Sequence, residues 1–501
     1  MSEPSPISHP GLKMASEYPL LQSIFNRRSR RIMKGVSEVK AGDLTYRSSQ
    51  TSQPLSELEE AILISVISRT GYVLPDRPFQ DANGKDILGT PNILMSRRAA
   101  GSADNAQNTH FFMLNNEGTF YLKPLPPQER YEFNEAKLLD MARQSKVKIG
   151  PRLNFDRKFP FYLDSNRFLS NLKDSTVFVP VVDMSAQYLN GLMYILTQED
   201  GNRPLIVDDL NGFQPAGIPE KYYTGSRPFL NPHLEIPLAV LGTFRAEIES
   251  SLLLQNLMLT FQAMGLGGWI HASYEGPFLL DHPKFQIPDQ GIIAGLLGRV
   301  PLNERTEKQG LGFRYEIPGH GHLTFKEFLK SRVLASLPQD VAAQPDLLQN
   351  PEKFRAYYLE KLKPYEEALR RAHPIGLDSV IESHTPYYKG NMEGAVESLL
   401  QIKYGQNGTY SDLNVLQRIF KRFDQAQKFK QQVPHYEPEV VEIVKSVASY
   451  VYKTHGRIPA HFDAIRVPGI WLQAHKLDLQ YYDQFFEEGY LPTHVLNGRV
   501  F

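Results

Sequence analysis

The sequence predicts an α+β protein carrying an additional all-helical C-terminal region. Three observations predict it. Residues up to about 330 mix Val-rich apolar segments with amphipathic helical patterns, the signature of sheet and helix in one domain. Residues from about 335 onward read almost only as helices joined by short Pro- and Gly-containing turns. A hydrophobic content of 41% with 22% charged residues is ordinary for packed globular cores. The predicted organisation is a disordered N-terminus over 1–16, an α+β domain over 17–334 and a helical domain over 335–501.

Each element has its own justification. "ASEYPLLQSIFNRR" places Leu20, Leu21, Ile24 and Phe25 on one helical face. "PLSELEEAILISVISRTG" starts with Ser56 and Glu59 spaced as a capping box, and Gly71 is its predicted stop. "THFFMLNNEGTFYL" reads as a hairpin, two apolar runs around Asn115, Asn116 and Gly118. "STVFVPVVDM" is a strand of the kind buried on both faces, with the helix "AQYLNGLMYILT" after it. "VDDLNG", with Asp208 and Asp209, reads as a turn between strands rather than a pair of catalytic carboxylates.

The strongest helix is "FRAEIESSLLLQNLMLTFQAMGLGG". Ile248, Leu252, Leu259 and Ala263 recur at helical spacing, and other faces are apolar too, as in a central helix. It ends at Gly265, and "GLGGWIHAS" continues from it. "IIAGLLGRV" reads as a further short strand. Beyond 335 the helical segments run from "PEKFRAYYLEKLKPYEEALRRAH" to "LDLQYYDQFFEEG".

Composition excludes several functions. Lys plus Arg equals Asp plus Glu at 55 each, so no global field attracts nucleic acid or an acidic membrane, and any anion site must be local. With no cysteine, disulfides, thiolate metal sites, iron–sulfur clusters and a Cys nucleophile are all excluded. No apolar run reaches the roughly 18 residues of a membrane helix, and the polar, Pro-rich start shows no secretory pattern. The expectation is a cytoplasmic protein without membrane or nucleic-acid partners.

One local anion site stands out. "RRSRR" sets four arginines around Ser29 immediately after a helix. Such a run can be a solvated surface, an import or nucleic-acid patch, or a cradle for a dianion. A hydroxyl between guanidinium groups, anchored to a helix, favours the cradle, because arginine offers planar paired donors to a phosphate.

From these residues the chain resembles the nitroreductase superfamily of flavin-dependent oxidoreductases over roughly 17–330. The resemblance rests on three stretches in order. The first is "RRSRR", like the family's R-x-S-x-[RK] pattern, which implies that Arg27, Arg28, Ser29 and Arg31 hold the flavin phosphate and ribityl chain. The second is "AAGSADNAQNTHFFML", where Ser102, Asn105, Gln107 and Phe111 follow the family's P-S-x-x-N-x-Q-P-W-x-F segment, which lies near the flavin and often reaches it from the partner subunit, so the resemblance implies that Ser102, Asn105 and Gln107 bind the cofactor. Here Gly101 replaces the usual Pro, and Asn108 and Thr109 replace Pro-Trp, so substrate-pocket details differ. The third is "QNLMLTFQAMGLGGWIHAS", like the family's dimer helix and Gly-Leu-Gly turn. It implies that Gly267, Gly268, Ile270 and Ala272 present backbone to the flavin ring.

The resemblance implies a mixed or antiparallel sheet flanked by helices, a homodimer, FMN as cofactor, and NAD(P)H and a small electron acceptor as partners. His271 is the candidate catalytic donor near flavin N5, the alternative being a histidine that caps a chain end. Arg305 or Arg314 is the candidate late basic residue at the phosphate. No G-x-G-x-x-G or G-x-x-x-x-G-K-[ST] is present, so a nicotinamide donor would have no Rossmann domain of its own. The implied function is an FMN-dependent oxidoreductase. The alternative is a flavin-binding or flavin-free module that binds without turnover.

No metal site is expected. His320 and His322, which Asp164 could join at one metal, read rather as a surface turn, and the late cluster His455, His461, Asp463, His475 and Asp478 lacks ligand spacing on a helix. Phe462, Trp471, Tyr481, Tyr482 and Phe485 read instead as aromatic packing.

Overall fold

The computed structural model describes residues 7, 9–40, 42–76, 79–84, 95–102, 105, 107, 109–125, 134–152, 166–183, 185–208, 211–238, 245–272, 314–317, 321–324, 392–455, 465–466 and 470–487. The chain opens with α1 (Pro10–Glu17) and α2 (Leu20–Asn26), followed by α3 (Glu57–Ser65). Pro10 stands in the first turn of α1, where its missing N–H is no loss, and the His9 ring accepts the Leu12 N–H at 3.3 Å. Leu12 is fully buried, so the N-terminus read as disordered over 1–16 is helical from Pro10 onward. The single helix expected over 15–28 is instead two, because Pro19 takes an extended conformation and caps the second.

α3 begins at the expected capping box: the Glu59 N–H donates to Ser56 Oγ, and the Ser56 N–H to Glu59 Oε2. It ends at Ser65, earlier than expected, and Gly71 lies in the strand that follows. β1 (Arg69–Tyr72) and β2 (Ser96–Arg98) form a small antiparallel pair. β3 (Thr109–Asn115) and β4 (Gly118–Leu122) make the expected hairpin. α4 (Glu135–Ser145) runs directly into β5 (Lys146–Gly150), and β6 (Thr176–Asp183) is the expected buried strand.

α5 (Ser185–Leu196) leads to a three-stranded sheet of β7 (Pro204–Asp208), β8 (Gln214–Pro215) and β9 (Asn231–Pro237), in which β7 and β9 are parallel. Asp208 closes the β7–β8 turn and accepts a hydrogen bond from Tyr450 Oη at 2.8 Å, a structural role as expected. α6 (Arg245–Met264) precedes β10 (Gly267–Ala272), and among the described residues β11 (Arg314–Ile317) pairs only with β12 (Gly321–Thr324). The C-terminal region supplies α7 (Met392–Tyr404), α8 (Leu413–Ile419), α9 (Phe423–Gln432) and α10 (Pro438–His455), then β13 (Ile465–Arg466), β14 (Ile470–His475) and α11 (Leu479–Phe485).

The main sheet has the order β10-β14-β6-β3-β4-β5, with β13 also on β6, and every pairing is antiparallel. The class is therefore α+β. The all-helical reading of the C-terminal region is corrected: β14 lies inside the main sheet, between β10 and β6. "IWLQAH" opens on strand-favouring Ile470 and Trp471 and is buried almost throughout, on both faces of the strand, which no helical stripe describes. The boundary placed near 335, the strand read at "IIAGLLGRV" and the helix "PEKFRAYYLEKLKPYEEALRRAH" lie outside the described residues.

Two large cores result. One packs α3, α4 and α6 on one face of the main sheet, through residues such as Leu63, Met113, Phe178 and Phe261, together with Leu472 and Ala474 of β14. The other joins α5 and the three-stranded sheet to α7 and α10, through Leu192, Ile206, Val396 and Val447. Full burial of each such side chain contributes about 1.5–3 kcal/mol. Buried charges are paired across sequence. Lys476 bonds Glu59, and Lys146 bonds Glu60 at 2.6 Å, while Asn115 and Thr176 also donate to Glu60. Removing one partner of a buried pair typically costs about 3–5 kcal/mol, so Lys476–Glu59 ties the end of β14, and Lys146–Glu60 the start of β5, to α3.

Candidate functional site

α6 ends in a Schellman motif. Gly265 takes φ +66, its N–H reaches Gln262 O at 3.3 Å, and the Leu266 N–H reaches Phe261 O at 2.9 Å. This turn delivers the chain to β10, at one end of the sheet order. Beside β10 runs the segment that follows α2. The Gly268 N–H donates to Arg30 O at 2.9 Å, and Arg30 and Gly268 form an antiparallel bridge. Further along, the Asp478 N–H bonds Ile32 O at 3.2 Å, the Lys34 N–H bonds Lys476 O at 2.9 Å, and the Ile32 N–H bonds Tyr482 Oη at 3.1 Å. The basic run is thus held by backbone against the glycine-bearing strand.

From Ser29 the side chains alternate along an extended chain, Ser29 and Arg31 outward and Arg30 and Ile32 inward. Arg30 points inward, and its Nη1 donates to Gln262 Oε1 of α6 at 2.9 Å. Burial, the largest cause, lowers its pKa from the ordinary value. Arg28, Ser29 and Arg31 are exposed, and Arg27 is half-buried at the C-cap of α2. Arg28 donates to the carbonyls of Phe25 and Arg27, and Arg31 to Asn166 Oδ1 at 3.4 Å. The R-x-S-x-R reading passed over Arg30, the residue that fixes the others in place. The sequence pattern does not reveal which of the four arginines turns inward, because that depends on the distant Gln262.

β10 offers a strand edge on the same side. The Gly268 N–H points away from β14, so the N–H groups of Ile270 and Ala272 point the same way. Ile270 is 37% exposed. The glycines themselves have a nearer cause than a ligand. A Cβ on Gly267 would lie 2.5 Å from His475 Nε2 and Leu477 Cδ2, and one on Gly268 would meet Gln473 O and the Phe261 ring. They are small because the protein's own core closes on them.

His271 lies on the opposite face, buried among Trp269, Trp471 and His475, with Nδ1 3.3 Å from Ser170 Oγ. Burial, then the Arg31 guanidinium and His475, hold its pKa well below the ordinary histidine value, so the ring is neutral. β10 therefore presents backbone, not this imidazole, at its outer edge.

The second stretch lies elsewhere in the subunit. β3 is three places along the sheet from β10, roughly 14 Å at strand spacing. Gln107 and Asn105, both at positive φ, donate side-chain N–H groups to Ser96 O and fasten the entry of β3 to β2. Ser102 is half-buried, and Phe111 is in the core. The first and third stretches are thus joined within one chain and the second is not. Arg314 opens β11, away from the main sheet's ladder, and Arg305 lies outside the described residues.

An apolar strip flanks the basic ledge. Leu20, Leu21, Ile24 and Phe25 of α2 are exposed, Phe25 at 73%, as are Ile248 and Leu252 of the neighbouring α6. Among the described residues no helix is long and apolar enough to cross a membrane, and no group of three or more His, Asp or Glu side chains is arranged to hold a metal ion.

Compared with known proteins, the chain matches no family model and no curated protein. The site is defined by its own geometry: a ledge of cationic donors beside a strand edge, whose guanidinium groups suit an anion.

Proposed function

We propose that the protein is a cytoplasmic FMN-dependent oxidoreductase of nitroreductase type, working as a homodimer on NAD(P)H and a small organic acceptor such as a nitroaromatic or a quinone. The observation that carries the reading is the Arg30–Gly268 bridge, which sets the basic run against the β10 edge. The residues fit the group: Arg27, Arg28, Ser29 and Arg31 would hold the phosphate and ribityl chain, and the backbone from Gly268 to Ala272 would face the ring. When bound, the flavin supplies hydride acceptance at N5 and electron delivery to the second substrate. The chain's own contributions are binding, orientation and positive charge beside the ring, which favours a reduced, anionic cofactor.

The homodimer is supported by the apolar strip on α2 and α6. A second copy covering it would shield that surface and bring a partner's Ser102–Gln107 segment towards the ledge, which one subunit alone does not do.

The experiment is the visible spectrum of the purified protein, with the mass of any small molecule released on denaturation. The expected outcome is FMN and bands bleached by NADH or NADPH. Arg27→Ala with Ser29→Ala should lower occupancy by at least about tenfold while the far-UV circular dichroism stays unchanged, in line with the loss of two charge-assisted hydrogen bonds. Full occupancy in that variant refutes the phosphate assignment.

The second reading is a binding module without turnover. It is favoured by one observation: Asn105 and Gln107, expected at the flavin, have their amides committed to Ser96. A colourless protein that no added FMN stabilises would decide for it.

A further inference from the structure

A second polar site lies three strands across the sheet from β10. A cavity of about 30 Å³ sits among the end of α3, Arg98 of β2, the start of β3 and the residues after β4. One water needs roughly 10–15 Å³ by this measure, so the space holds two waters or one small anion.

Its lining mixes apolar side chains, among them Ile67, Phe111 and Leu122, with polar ones, among them Arg98, Thr109 and Lys123. Arg98 is 7% exposed and Thr109 fully buried. Arg98 Nη2 donates to the carbonyls of Thr109 and Gln107. Its Nε and Nη1, and Thr109 Oγ1, make no hydrogen bond among the described residues. Glu249 faces this guanidinium, but its Oε1 stands 3.7 Å from Nη1 and instead accepts the Thr109 N–H at 3.1 Å. Exposed Lys123 lines the cavity too and adds a second positive charge. Two cations against one carboxylate leave the site net positive. Buried donors left without acceptors are costly, and a charged acceptor satisfies them best.

We propose that this cavity binds the carboxylate of a small aliphatic acid, with Arg98 and the Thr109 hydroxyl as donors and the apolar side chains of the lining taking the short chain. The site shares Thr109 and Phe111 with the second of the three stretches but no residue with the Arg27–Arg31 ledge, so a ledge variant separates the two proposals.

The test uses the full chain and sodium acetate as probe, against sodium chloride at equal ionic strength. A saturable rise in melting temperature with acetate and not chloride, with saturation-transfer signal on the acetate methyl, is expected. Thr109→Val keeps the side-chain shape and removes the hydroxyl, and should weaken the apparent affinity about tenfold. Arg98→Met would leave Glu249 buried without a partner, so it is made together with Glu249→Gln, and that pair should abolish the response. Arg27→Ala with Ser29→Ala should leave it intact. An equal response to chloride, none to acetate, retention of the wild-type response in either cavity variant, or its loss in the ledge variant would each overturn the proposal.

Discussion

Gly268 shows how one residue links core and site. Its N–H holds Arg30, and its missing side chain admits Phe261 and the backbone of Gln473. Gly268→Ala forces a methyl group into both. The expected cost is about 1–3 kcal/mol, read as a lower denaturation midpoint with an unchanged slope. Lys403 carries a different residue-scale effect. It is fully buried, donating to Asn190 Oδ1 and to Tyr436 Oη at 2.8 Å, and burial lowers its pKa to about 7. An unfolded lysine keeps its proton to about pH 10.4. Between these values the unfolded chain binds more protons than the folded one, so this group makes stability rise with pH, by at most about 1.4 kcal/mol per unit. Below pH 7 both states are protonated and the burial penalty is present in full. Denaturation of wild type and Lys403→Met from pH 6 to 10 checks it: the variant should lack that part of the slope.

α6 is the element on which the quaternary proposal turns. One face buries Leu253, Leu254, Leu257, Met258 and Phe261 in the main core, while Ile248 and Leu252 stay exposed, as does Phe25 of α2. An all-round apolar pattern was legible in the sequence, and it proved to mean two faces, one buried within the chain and one open. Phe25→Asp with Leu252→Asp should yield a monomer by sedimentation velocity, with the far-UV circular dichroism preserved, since neither side chain enters the core. A dimer that survives both changes would place the two-fold interface elsewhere. β3, β4, β6 and α3 were legible because periodicity and capping are local. β14 was not, because a six-residue apolar strand among helices carries no local sign of its distant partners, Val177 and Gly268 among their neighbours.

For the molecule as a whole, the candidate site follows the same division. Which residue types form it could be read from "RRSRR" and "GLGGWIHA"; that Arg30 joins them could not, because the bridge is set by long-range packing. Asn105 and Gln107 were readable as a motif, yet their amides serve β2, a commitment that depends on backbone at positive φ. The predicted division into an α+β body and a separate helical tail failed for a related reason: Leu472 and Ala474 lie in the same core as Leu63 and Phe261.

The strand Ile470–His475 also bears on how the protein comes off the ribosome. β10 and β6 have no ladder between them until a segment roughly 200 residues downstream of β10 has been synthesised. The main-sheet ladder between β10 and β6 therefore closes only after nearly the whole chain has been made, which places this pairing late in folding on the ribosome.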